Sequence, residues 1–114
     1  MDIKTKNCQI IHEAEQSQVI FKGSLRLGGM EEYAPIVELL DGIILEKPSL
    51  ITLDLSELEF LNSSGISMLS KFVINVRKQK ESQILIKGSQ AIPWQGKSLK
   101  NLQRLMPSLT LELA

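Results

Sequence analysis

Ser63 and Ser64 are the hydroxyls of this 114-residue chain best placed to do chemistry, because they stand in the run Asn62-Ser63-Ser64-Gly65 between a strand-like segment and a helical pattern. A hydroxyl on a strand-to-helix turn can be a nucleophile, a helix cap or a phosphate acceptor. A nucleophile needs a base, and the sole histidine, His12, lies on a distant segment; the Gly-x-Ser-x-Gly turn that presents a nucleophilic serine is also missing. Catalysis is therefore not expected. Capping is the simplest role, since a side-chain oxygen of Asn62 or Ser63 can accept from an unpaired amide of the first helical turn, while Gly65 lets another backbone approach closely. A phosphate is also tolerated at such a position, where free amides and the positive end of the helix dipole meet it.

Other chemistry is narrowly bounded. Cys8 is the only cysteine and His12 the only histidine, so neither an internal disulfide nor a Cys/His metal cluster can be built, and no metal or cofactor is expected. No glycine-rich phosphate loop with its lysine is present to support nucleotide binding. Cys8 reads as a small buried residue, His12 as a residue at a strand end, and Trp94 as the start or packing of a helix.

The elements that must position the serines follow from periodicity. Residues 8–12 (CQIIH) and 18–22 (QVIFK) are short β-prone runs that predict an antiparallel hairpin, the second continuing to Leu27. After Gly28-Gly29 the period changes, and Met30, Tyr33, Val37, Leu40 and Ile44 mark an amphipathic helix that ends near Lys47-Pro48. Residues 50–55 (LITLDL) read as a central strand covered on both faces, and SELEFLNSS reads as a turn. Ile66, Leu69, Val73 and Val76, widened by Met68 and Phe72, form a second helical stripe that runs out in Arg77, Lys78 and Lys80. Residues 83–87 predict another strand, Leu99, Leu102 and Met106 a third helix, and Leu109, Leu111 and Leu113 a terminal strand. The order ββαβαβαβ predicts one α/β layered domain over residues 1–114, with a mostly parallel sheet, right-handed crossovers and an amino-terminal hairpin.

Composition agrees with one modest core: 43% hydrophobic and 23% charged residues. Thirteen basic and thirteen acidic side chains cancel, so no bulk field would hold nucleic acid or an anionic membrane. The charge is unevenly spread, with five basic and eleven acidic residues over 1–60 and eight basic and two acidic over 61–114. That split places opposite charges on different solvated faces, or else forms a basic surface for an acidic partner. With no signal peptide pattern and no long apolar run, a cytoplasmic location is expected.

Residues 54–68 (DLSELEFLNSSGISM) resemble the signature of the STAS family, the sulfate-transporter and anti-sigma-factor-antagonist domains: Asp-Leu-Ser, a short apolar stretch, then Asp-Ser-Ser/Thr-Gly opening a helix. Asp54-Leu55-Ser56, Leu58, Phe60-Leu61 and Asn62-Ser63-Ser64-Gly65 carry the resemblance, and the element order extends it over nearly the whole chain. Asn62 stands where the family has Asp, which caps a helix about equally well, and Gly23-Ser24-Leu25-Arg26 where many antagonists have Gly-Glu-Leu/Ile-Asp. The resemblance implies a non-catalytic switch protein of a bacterial partner-switching circuit, with Ser63 phosphorylated by a serine kinase that acts as an anti-sigma-factor-like partner and dephosphorylated by a PP2C-type phosphatase. Asn62, Ser64 and Gly65 would form the switch loop and helix start, with Glu59, Ser67 and Lys71 contacting the partner. Two other readings remain open: a constitutive scaffold subunit without phosphorylation, and a nucleotide-binding STAS module.

Overall fold

A computed structural model describes residues 2–114. Six strands, β1 (Asp2–Lys4), β2 (Cys8–Glu13), β3 (Gln18–Leu25), β4 (Leu50–Leu61), β5 (Gln83–Gly88) and β6 (Thr110–Leu113), form one sheet in sequential order. The first two pairings are antiparallel and the remaining three parallel. Three helices, α1 (Met30–Leu45), α2 (Ser63–Gln79) and α3 (Gln95–Leu105), make the parallel crossovers. Each crossover advances one strand in the same direction, so the right-handed rule puts all three helices on one face. α1 packs on α2 and α2 on α3.

Alternation along the strands decides which face is filled. Ile10, Val19, Phe21, Ile51, Leu53, Ile84 and Ile86 are buried against the helices, each fully buried aliphatic side chain contributing about 1.5–3 kcal/mol. The other face carries a register row across all six strands, Asp2, Ile11, Ile20, Asp54, Lys87 and Glu112, with both charges and apolar groups. β1 is an addition to the expected order, a three-residue edge strand on β2. A 3-10 turn at Ala14–Gln16 closes the hairpin between β2 and β3.

The largest departure concerns the segment SELEFL, expected as a turn and found as the second half of β4. Leu55, Leu58 and Leu61 are buried at a spacing of three, which no regular strand allows. Two register shifts against β3, between Ile20 and Lys22 and between Gly23 and Ser24, each give β4 one extra residue and return the next leucine to the core. At the first shift Asp54 Oδ1 accepts from the Ser56 amide (3.0 Å) and hydroxyl (2.6 Å), which holds the bulge in shape.

Candidate functional site: the β4–α2 junction

The C-terminal half of β4 delivers the chain to Asn62, whose extended backbone makes it the N-cap of α2. Both polar atoms of its side chain are engaged. Asn62 Oδ1 accepts from the Gly65 amide (2.9 Å) and the Tyr33 hydroxyl (2.6 Å), and Nδ2 donates to the Leu27 carbonyl (2.9 Å). The Asn62 amide donates to the Leu25 carbonyl (3.2 Å), and its own carbonyl accepts from Ile66 (3.0 Å). One residue thus ties the end of β3, the first turn of α1 and the start of α2 together. Tyr33 was legible only as a core position of α1. Its ring is completely buried, and burial pushes its phenol above the usual range, so it stays a neutral donor.

Gly65 is needed for a different contact from the one expected. A Cβ there would overlap the Leu61 side chain and crowd the Tyr33 hydroxyl, so side chains rather than a second backbone fill the space. Ser63 is exposed as the first residue of α2, and Ser64 behind it is half-buried. Ser67 and Lys71 follow on the exposed side of α2, in the stripe that a four-residue spacing from Ser63 produces. The structure therefore brings Ser63, Ser67 and Lys71 onto one face. Glu59 is exposed on β4 but lines a different hollow, with Asn7, Gly23, Ser24 and Arg26. Lys71 borders a groove between α1 and α2 whose walls include Met30, Val37, Met68 and Phe72.

Two further features frame the junction. The Arg26 guanidinium lies 4.3 Å from the centroid of the partly exposed Phe60 ring. On the other side of β4, the loop into α3 grips the bulged strand. Trp94 Nε1 donates to the Leu58 carbonyl (3.0 Å), and Gln95 Nε2 donates to Leu55 (2.6 Å) and Leu58 (3.0 Å) while its Oε1 accepts from the Ser89 amide (2.7 Å). Gln95 is entirely buried, so these bonds satisfy every polar atom that a core amide would otherwise leave stranded. Trp94 sits at the start of α3 and packs against the core, as expected.

Chemistry elsewhere is sparse. Cys8 is buried and unpaired, with its thiol pushed up by burial. Among the described residues no cluster of three or more metal-ligating side chains occurs, and no helix is long and apolar enough to cross a membrane. The ion pair found among those residues joins Lys22 to Glu57 at 3.7 Å.

No family model matches the sequence, and no curated protein matches it. Solved structures do. A chain from the complex of diguanylate cyclase SiaD with its activator SiaC from Pseudomonas aeruginosa superposes with a TM-score of 0.75 at 11% identity, covering 99% of this chain and 97% of that one. SiaC of the same organism, in its apo form, gives 0.72 at 9% identity over 99% and 98% of the two chains. An anti-sigma factor antagonist from Mycobacterium paratuberculosis gives 0.62 at 17% identity, over 96% of this chain and 90% of that one. The chain has the fold of SiaC and of an anti-sigma factor antagonist, in line with the fold expected from the resemblance to STAS domains.

Proposed function

We propose that this protein is a non-catalytic phospho-switch of a bacterial partner-switching circuit, working in the cytoplasm, with Ser63 as its acceptor. The observation that carries the reading is the exposed Ser63 on a helix start whose capping residue, Asn62, already has both polar side-chain atoms hydrogen-bonded. A phosphate there adds about −1.5 to −2 charge to the face shared by Ser63, Ser67 and Lys71, turning a contact surface repulsive without refolding. A serine kinase adds the group and a PP2C-type phosphatase removes it. Fold likeness to an activator seen with a cyclase and to an antagonist of anti-sigma factors supports a role exerted through a protein partner.

Protein isolated from its native host, analysed by intact mass and peptide mapping, is expected to include a singly phosphorylated form modified at Ser63, absent from Ser63→Ala. If the host's kinase-competent lysate leaves Ser63 unmodified under every growth condition, the constitutive-scaffold reading replaces this one.

A further inference from the structure

Arg26 is placed at the switch by backbone bonds rather than by its own side chain. The carbonyls on either side of it, Leu25 and Leu27, both accept from Asn62, the residue preceding Ser63. Its side chain is exposed, with the guanidinium carbon 4.3 Å from the ring centroid of Phe60, two residues upstream of Asn62. A cation–π contact of this kind leaves guanidinium N–H groups free to donate elsewhere. Glu59 lines the same hollow, and Glu31 and Glu32 open the neighbouring helix, yet Arg26 forms no ion pair with any of them within 4.0 Å. The backbone of an arginine thus lies beside the residue that precedes the acceptor serine, with its guanidinium against an aromatic ring and its donors uncommitted to a carboxylate.

Building on the Ser63 reading, we propose that Arg26 is the counter-ion of phosphorylated Ser63: its guanidinium leaves part of the Phe60 ring or pivots on it to donate a pair of hydrogen bonds to the phosphate. The fork geometry of arginine matches phosphate oxygens, which a lysine would meet only as a point charge. The helix amides of α2 face the same phosphate but are present whatever residue occupies the arginine's position. Arg26 is a positioning residue for the modified state, and it is withdrawn from any partner carboxylate once the phosphate takes it. Phosphorylation would then act twice on a partner surface, by adding negative charge and by occupying the adjacent cation.

The experiment uses the full chain with phosphoserine installed at position 63 during translation, so that no kinase is required. Phosphorus NMR titration of this protein is compared with its Arg26→Gln and Phe60→Leu variants. A nearby guanidinium favours the dianion, so the second phosphate ionisation should occur about half a pH unit or more lower in the protein that keeps Arg26 than in the Arg26→Gln variant. The gap should narrow in high salt, and Phe60→Leu should give a value between the two. Titration curves that coincide in the wild-type and Arg26→Gln proteins, with amide spectra showing both folded, overturn the proposal. Because the phosphate is introduced during translation, that result leaves the question of modification in the host untouched, and a host that never modifies Ser63 leaves the NMR result standing.

Discussion

Asn62 shows how one side chain can be read correctly in type and incompletely in role. Its capping of α2 follows from the sequence, but the Nδ2 bond to Leu27 depends on a residue 35 positions away and is invisible to local reasoning. That bond changes what an aspartate would do. An Asp at this position could still accept from Gly65 and Tyr33, yet it would place a carboxylate oxygen against the Leu27 carbonyl in place of a donor. Asn62→Asp is therefore expected to lose about 1–3 kcal/mol in urea unfolding at pH 7, with the deficit shrinking as pH falls toward about 4, because the disfavoured carboxylate regains its proton in the folded state before it does in the unfolded chain. Equal stability of the two proteins at pH 7 would show that the junction relaxes at no cost. The capping bond to Gly65 is one that Asn and Asp make about equally, so the expected difference comes from the Leu27 contact alone, and the site of phosphorylation is expected to stay at Ser63 in both.

Tyr33 belongs to the same scale and gives a pH signature. The native state keeps the phenol proton to higher pH than the unfolded chain, because burial raises its pKa above 10.0. Its contribution is thus complete below pH 10 and is lost as pH rises through the folded-state value. Tyr33→Phe should lose about 0.5–1.5 kcal/mol at neutral pH through the missing bond to Asn62, and should show a shallower loss of stability as pH rises above about 10. Parallel alkaline limbs for the two proteins would contradict this account of the phenol.

At the scale of elements, helices were legible because a packed face repeats every three or four residues, though the stripes were turned slightly from those expected. In α1 the buried face is Tyr33, Ile36, Leu39, Leu40, Ile43 and Ile44, while Met30 is exposed and Val37 half-buried. β4 was only half legible, since two inserted residues break the period of two that identifies a strand. β1 escaped notice because three residues at a sheet edge carry no pattern. What sustains the bulged half of β4 is a long-range grip by α3, so Gln95→Leu should be costly. It strands the Leu55 carbonyl and the Ser89 amide and leaves the Leu58 carbonyl only its bond from Trp94, and a loss of about 2–4 kcal/mol in chemical unfolding is expected. A variant as stable as wild type would mean that the strand holds its bulges unaided.

Across the whole molecule, the charge asymmetry acquires a location. α1 exposes Glu31, Glu32, Glu38 and Asp41, whereas α2 and α3 expose Lys71, Arg77, Lys78, Lys97, Lys100 and Arg104 and carry no acidic residue. The helical layer is thus acidic on one flank and basic on the other, with the Ser63 stripe between. Two flanks of one helical layer thus carry much of the split read in the sequence. Lys71→Glu should slow association with a partner and weaken its salt dependence, with the melting temperature nearly unchanged, in stopped-flow measurements at low and high ionic strength. An unaltered rate would move the contact surface away from α2.

The switch itself is tested most directly by measuring the affinity of the partner that co-purifies from the host for the unmodified protein and for protein phosphorylated at Ser63, with circular dichroism recorded on both. The account predicts that phosphorylation weakens binding by about tenfold or more, about 1.4 kcal/mol, while the spectra coincide. Equal affinity for the two forms, with the phosphate verified at Ser63, would contradict it.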